Sequence, residues 1–542
     1  MIFYKLIKTA AASVLGAAAV FASASALAYT DVPSGHWAES VINEASAAGI
    51  MQGRDNGEFG LGDSIKRSEF AAMLVRLMGW EKGTSITGFS DVSQDSWYFG
   101  DVSALAAHGA VSGGMFRPED DITRREMAVM LIKALGYDNI AAAQDRSSFS
   151  DVSSDSGYIE TARDLGIING KTDTQFDPDG FALREEGAAM MMRLYTKYYS
   201  RLSEIHGFYA ISSWGQRELA AQMDSVSFGW SRLEYTDSGE VDLNTTTDNG
   251  NVWYIPDGWE DAVSYIKDSG AVENFAVTMT DQDDSRAILL NAENRSAAIS
   301  ALTDAADGFD GITIDFEGMK GEELKNGLNE FMRELRSALG DKQLYIAVHP
   351  VLKNSSEYYD AYDYRTLGEY ADRVILMAHD YAAYTMPDSL LNTNFISTPV
   401  TPFDEIYYAL REITDPQTGV ADTAKIQLAL SLPSNAAWET ENGRITNPQS
   451  IHPATDTVMK RLAQSDTEIN YSDTYRDPYA WYSTEDGQRI LIWYEDSRSV
   501  RDKIKLARMF GINSISIWRI GEIQNGSADI YMDVWDTILS EK

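Results

Sequence analysis

The stretch Asp310-Gly311-Ile312-Thr313-Ile314-Asp315-Phe316-Glu317 decides the fold of the larger part of this chain. Side chains alternate along an extended strand, so Thr313, Asp315 and Glu317 share one face and Ile312, Ile314 and Phe316 the other. A strand with an apolar outer face and carboxylates on its inner face fits the wall of a closed barrel, with helices outside and a site at the C-terminal strand ends. Glu317 stands at such an end. Two carboxylates facing a cleft of low dielectric repel each other, which raises a pKa and leaves an acid near neutral pH. Glu317 is the expected acid.

From about His206 onward, short apolar runs alternate with polar, helix-compatible stretches. Runs at 207–211, 226–230, 275–279, 311–316, 344–348, 374–378, 426–432 and 514–518 predict eight strands with helical crossovers. The expected class is α/β, a (β/α)8 barrel of the TIM type with insertions, over residues 201–542. Tyr209, Trp214, Trp230 and Tyr381, at or just past strand ends, are candidates for an aromatic stacking platform that lines the cleft, although core burial is the simpler reading of each alone.

The octapeptide resembles the Asp-Gly-x-Asp-x-Asp-x-Glu signature of glycoside hydrolase family 18, and Met377-Ala378-His379-Asp380-Tyr381 and Trp518 extend the resemblance through the barrel. Tyr471-Ser472-Asp473, Pro478-Tyr479 and Trp493-Tyr494-Glu495-Asp496 are similar to the subgroup of spore-cortex and cell-wall N-acetylglucosaminidases. The resemblance implies substrate-assisted, retaining catalysis. Glu317 would protonate the glycosidic oxygen, the sugar's own N-acetyl oxygen would attack the anomeric carbon, and Asp315 would stabilise the resulting oxazolinium. Asp380 would position the acetamido group and Trp518 would floor the site, with His379, Tyr381, Tyr209 and Trp230 as further substrate contacts. The resemblance implies no metal and no cofactor.

Two positions depart from the family pattern. Thr313 stands where chitinases have Asp, and His379 replaces a Tyr, bringing a group that titrates between about pH 5 and 8. Besides cleavage of peptidoglycan, two readings stay open: a surface-displayed chitinase, and a catalytically silent carbohydrate-binding barrel. Glu317 with Asp315 argues against the second.

The first 200 residues repeat. Asp31-Val32, Asp91-Val92 and Asp151-Val152 are spaced by 60 residues, the mark of stacked structural units. Trp37 and Trp97 follow in the first two copies. Each copy then has an amphipathic stretch closed by Gly49-Ile50, Gly109-Ala110 or Gly166-Ile167, where glycine reads as a helix C-cap. A turn bearing Phe59, Phe116 or Phe176 leads to a helix opened around Arg67, Arg124 or Arg184. Only the second copy keeps a full capping box, Thr123 with Glu126.

This pattern resembles the S-layer homology domain, as a mainly helical unit of repeats at 29–88, 89–148 and 149–200. The resemblance implies grooves that bind a pyruvylated secondary cell-wall polymer. Arg67, Arg124 and Arg184 would grip the acidic ketal through paired hydrogen bonds, and Trp37, Trp97, Asp31, Asp91 and Asp151 would shape the grooves. Gly157-Tyr158 and Leu183 make the third copy the most divergent.

Composition sets the outer bounds. A chain of 542 residues with 44% hydrophobic and 11% aromatic content carries several cores and more than one domain. Its formal charge of −37 argues against nucleic acid as a partner, because phosphate binding needs basic surface. There is no cysteine, so no disulfide contributes. Lys5 and Lys8, an alanine-rich apolar run and Ala26-Leu27-Ala28 read as a secretory signal over residues 1–28. No later run approaches the ~20 apolar residues of a spanning helix, so the mature chain is expected to be secreted, without a membrane span, to a bacterial cell wall or S-layer. The expected substrate is peptidoglycan or a chitin-like N-acetylated polysaccharide.

Overall fold

The computed structural model describes residues 29–85, 88–353, 360–382 and 384–542, so the expected signal segment lies outside the described residues. The chain divides into two compact units, Met1–Thr196 and Lys197–Lys542.

The first unit holds helices α1 (Glu39–Ala47), α2 (Arg67–Met78), α3 (Phe99–Ala107), α4 (Arg124–Ala134), α5 (Asp138–Ala142), α6 (Ser156–Asp164) and α7 (Arg184–Tyr198). Gly49, Gly109 and Gly166 adopt left-handed backbone just past α1, α3 and α6. The next N–H groups, of Ile50, Ala110 and Ile167, then reach back to the carbonyls of Ala45, Leu105 and Ala162, which satisfies helix ends that would otherwise be orphaned. At the starts of α2, α4 and α7, Glu69, Glu126 and Glu186 each accept the N–H three residues before them. The hydroxyl half of the capping box exists only at Thr123, but its carboxylate half recurs in every repeat.

The repeats close on one another. Ile65 N–H donates to Ala182 O, Ala182 N–H to Ile122 O, and Ile122 N–H to Ile65 O. One residue from each repeat thus contributes to a cycle of three backbone bonds.

The second unit contains strands β1 (Glu204–Tyr209), β2 (Ser225–Tyr235), β3 (Val241–Asn244), β4 (Val272–Met279), β5 (Gly311–Phe316), β6 (Gln343–Val348), β7 (Arg373–Leu376), β8 (Ile426–Ser431), β9 (Asn435–Glu441), β10 (Arg444–Ile445), β11 (Glu468–Ser472), β12 (Asp477–Ser483), β13 (Arg489–Tyr494) and β14 (Ser514–Trp518). Strands β1, β2, β4, β5, β6, β7, β8 and β14 pair in parallel and close through β1 with β2, which is the expected eight-stranded barrel. Strand β3 adds antiparallel to β2.

Strands β9 to β13 form a separate antiparallel sheet between β8 and β14. Beside that sheet, the Trp493-Tyr494-Glu495-Asp496 stretch serves structure. Lys503 Nζ, fully buried, lies 3.0 Å from Asp477 Oδ1 and also pairs with Glu495 and Thr401. Such a pair resists loss of either partner, which would strand a buried charge.

Strand β5 is built as its alternation predicts. Ile312, Ile314 and Phe316 are buried outward, Phe316 packing on Phe331 at 5.4 Å in the helix Glu322–Leu339, whose Leu324, Leu328, Phe331 and Leu335 recur at helical spacing. Gly311 is obligatory, since a Cβ there would lie 2.2 Å from the Gln343 carbonyl on β6. Inward, the Thr313 and Ser227 hydroxyls lie 2.6 Å apart, and His206 bridges Ser227 and Ser516 at 2.7 Å on either side. Burial pushes the His206 imidazole down to about 3, so it is neutral among its hydroxyl partners.

Candidate active site

The ladder between β4 and β5 pairs Thr278 with Asp315, and the Glu317 N–H extends it by donating to Met279 O at 2.9 Å. Glu317 is thereby held to the barrel rim by backbone rather than by a loop. Gly318 then turns the chain away with φ +72°, and Gln282 Nε2 donates to its carbonyl at 2.7 Å. Beneath, the Tyr362 hydroxyl donates to Phe316 O at 2.6 Å.

These residues open on a cleft of about 470 Å³ lined by Asp315, Glu317, His349, His379, Asp380 and Trp518, among others. Its size falls in the roughly 300–1,000 Å³ range of ligand sites. Burial raises the Asp315 carboxyl well above its ordinary range, and the neighbouring Glu317 adds to the rise. Burial also raises Glu317, against the pull of His379 and with the help of Asp380. The carboxylate pair thus retains a proton into a pH range where exposed carboxylates have lost theirs.

Asp380 is the opposite case. Burial works against its charge, but His379, whose Nδ1 lies 2.8 Å from Asp380 Oδ2, and the donating Ser434 hydroxyl hold it down at about 2. Its backbone is left-handed, φ +59°, a conformation that Asp tolerates better than most side chains. Trp518, at the end of β14, packs edge-on against Phe208 at 5.3 Å and tilted against Trp253 at 5.9 Å, so an aromatic surface lies below the carboxylates. Tyr381 lines the cleft wall.

Two expected contacts are corrected. In β1 and β2 the inward set is fixed by His206 and Ser227, so Tyr209 and Trp230 belong to the outward set. Both are buried, with Trp230 against Phe228 at 4.6 Å and Trp259 at 6.2 Å. Tyr209 packs on Phe228 and touches only a narrow cavity behind Asp315. Trp214 is exposed, beneath the Arg217 guanidinium.

Three neighbours were missed. His349, just past β6, places Nε2 3.5 Å from Glu317 Oε2 and accepts the Gly318 N–H at 3.4 Å; burial, with His379 nearby, pushes it down to about 4. Its only sequence signal was its place after a predicted strand. Trp253 and Ser434 carried none.

In the first unit the arginines bind the next repeat. Arg67 Nε donates to Phe116 O, Arg124 Nε to Phe176 O and Arg184 Nε to Phe59 O, each guanidinium lying over that phenyl ring at 4.7 to 5.1 Å. Arg67 pairs with Glu126 and Arg184 with Glu69, both at 3.0 Å. Arg124 is less neutralised: Glu186 sits 3.9 Å away because Lys171 holds it at 2.8 Å.

Asp31, Asp91 and Asp151 act on the grooves through the backbone. Their oxygens accept the backbone N–H groups of the phenylalanine turns, so they shape the grooves from behind. A groove of about 220 Å³ joins Trp37 to Arg124, Lys171, Glu186 and Arg193. Trp37 and Trp97 are 63% and 58% exposed, each touching, among the described residues, only its neighbour in sequence by a ring contact, His36 and Tyr98.

The family comparisons agree with this geometry. Residues 270–522 match the model for glycosyl hydrolases family 18, and 28–71, 88–128 and 148–188 match the S-layer homology domain. The chain carries a family 18 glycosyl hydrolase domain and three S-layer homology domains. The latter mark it as a secreted cell-surface protein, and no helix among the described residues is long and apolar enough to cross a membrane.

A cortical fragment-lytic enzyme of Bacillus subtilis (strain 168) is 28% identical over 243 residues, 43% of this chain and 52% of the enzyme. An amylopullulanase of Thermoanaerobacterium thermosulfurigenes is 31% identical over 172 residues, 30% of this chain and 9% of that protein. The chain thus spans about half, or far less, of these curated relatives. The C-terminal domain of a putative chitinase from Desulfitobacterium hafniense DCB-2 shares the fold of the family 18 domain, with TM-score 0.50 and 19% identity over 63% of this chain and 99% of that one.

Proposed function

We propose that this chain is a glycoside hydrolase that cuts N-acetylglucosamine linkages in peptidoglycan by substrate-assisted, retaining catalysis, held to the wall by its S-layer homology domains. The observation that carries the reading is the pair Asp315 and Glu317, held by one barrel strand at a cleft floored by Trp518.

Glu317, kept protonated by burial, gives its proton to the glycosidic oxygen as the bond to the anomeric carbon breaks. The acetamido oxygen of the same sugar forms the new bond to that carbon, and the positive charge that develops on the acetamido group is met by Asp315. Glu317, now a carboxylate, takes a proton from the water that opens the oxazolinium. Asp380, ionised and fixed by His379 and Ser434, orients the acetamido group, while Trp518 supports the sugar's apolar face. Peptidoglycan is favoured as substrate because wall-anchoring domains and relatives named as cortical fragment-lytic enzymes meet in one chain.

Purified peptidoglycan and chitin oligomers, each incubated with the chain and with Glu317→Gln, test the reading. New N-acetylglucosamine reducing ends from peptidoglycan, falling about 10³-fold in the variant, are expected. Preferred Glu317-dependent cleavage of chitin would make it a surface chitinase instead; products unaffected by Glu317→Gln would remove the acid from the scheme. For the tether, the Arg124 groove with Trp37 is the proposed site for a pyruvylated wall polymer, because its guanidinium is the least neutralised of the three.

A further inference from the structure

A second cavity, also about 470 Å³, adjoins the catalytic cleft, and Leu352 and Tyr381 line both. Its far wall is the segment after Tyr381 that leads to the helix Phe403–Ile413. Two buried tryptophans of the inserted sheet pin that segment: Trp438 Nε1 donates to Thr398 Oγ1 and Trp493 Nε1 to Ile396 O, each at 2.9 Å. The Tyr381 N–H donates to Val400 O at 3.0 Å and the Met386 N–H to Pro448 O at 2.8 Å. The chamber is therefore a built one.

Its chemistry differs from that of the cleft. Leu390, Phe395 and several prolines give it apolar walls, and Lys353 and Glu405 supply one charge of each sign. Lys353 is only loosely engaged, 4.0 Å from Asp404. A plain N-acetylglucosamine polymer carries, besides its hydroxyls, only a small acetamido group on each sugar, too short to fill an apolar side chamber. A peptidoglycan strand does: every second sugar carries, through a lactyl ether, a short peptide with alanine methyl groups, a free carboxylate and an amine. Cleavage after N-acetylglucosamine sets that substituted sugar beside the broken bond.

We propose that this side chamber receives the lactyl-peptide stem of the sugar adjoining the bond that Glu317 breaks, with methyl groups against the apolar walls, carboxylate towards Lys353 and amine towards Glu405. The proposal rests on the hydrolase reading above and deepens it, making the stem a determinant of substrate choice.

The test compares kcat/KM of the full chain on stem-bearing peptidoglycan fragments and on the same strands stripped of peptide by an amidase. Stem-bearing strands are expected to be cut about tenfold faster, equivalent to ~1.4 kcal/mol. Ser397→Tyr, which fills the chamber, and Lys353→Met should erase that preference while leaving cleavage of stripped strands within about twofold. As a readout independent of turnover, Glu317→Gln should bind a disaccharide-tripeptide about tenfold more tightly than the bare disaccharide in calorimetry. Equal cleavage of both strands, or equal loss on both in the variants, overturns the stem site yet leaves the hydrolase standing. Loss of Glu317-dependent cleavage on every strand overturns both.

Discussion

In the proposed mechanism Glu317 starts the reaction only while it holds a proton. With its carboxyl raised by burial and by Asp380 against the pull of His379, kcat/KM is expected to fall as pH rises through that raised value, and to fall again on the acid side, where Asp315, itself raised by burial and by Glu317, takes up a proton and no longer meets the acetamido charge. In His379→Asn the opposing charge is gone, so the alkaline fall moves to higher pH; an unchanged or lower position in a pH–rate profile would reject the assignment. His206 carries a prediction about stability instead. Its folded value, about 3 against 6.5 for a free imidazole, means that the native barrel binds fewer protons than the unfolded chain. Stability present above about pH 6.5 is lost as pH falls towards 3, on the order of 5 kcal/mol at most. Urea midpoints measured from pH 7 to pH 4 should therefore decline more steeply for the wild type than for His206→Gln, and parallel declines would refute it. Asp315 and Glu317 were legible because strand alternation is local. Tyr209 and Trp230 were misplaced because their phase depends on His206 and Ser227, whose inward bonds no local pattern reveals.

At the scale of elements, the barrel strands were legible because each is an apolar run bounded by polar stretches, as parallel strands buried on both faces must be. The inserted sheet was not, because β11 and β12 mix tyrosine, proline and charge without clean alternation. The helices opened by arginine were foreseen, but not what the arginines hold: the partners of Arg67 and Arg124 lie about 50 residues on in the following repeat, and those of Arg184 more than 100 residues back in the first. Arg184 illustrates the consequence. It joins Glu69, Phe59 O and Gln52 O with its side chain buried, so Arg184→Ala leaves uncompensated groups and should cost about 3 kcal/mol. Scanning calorimetry of the full chain should show the wall-binding unit melting several degrees earlier, with the barrel transition unmoved. Arg184→Lys should recover little, lacking the fork that serves three acceptors; full recovery would show that charge alone suffices.

Over the whole molecule, a formal charge of −37 would have to approach the anionic polymer proposed as its tether. Long-range repulsion then opposes the local attraction of Arg124, Lys171 and Arg193. Raising salt from about 10 to 150 mM shortens the screening length from about 30 to 8 Å, so capture by wall sacculi should quicken with salt over that range. Trp37→Ala with Lys171→Glu should lower the retained fraction at every salt concentration, as should removal of pyruvyl groups; sedimentation indifferent to all three would exclude the groove. The arginines themselves are poor targets for that assay, because changing them disturbs the repeats as well as the groove.

The cycle of backbone bonds through Ile65, Ile122 and Ala182 has a consequence for ancestry and for engineering. Open arrays of repeats lengthen or shorten by one unit, because each end is only a boundary that moves. A closed cycle has no ends. Deleting one unit leaves two half-made faces, and adding one leaves a unit with nowhere to bond. Such an anchor is expected to stand or fall as a triplet, and a fragment of two repeats should fail to fold where three succeed, as circular dichroism of the two fragments would show.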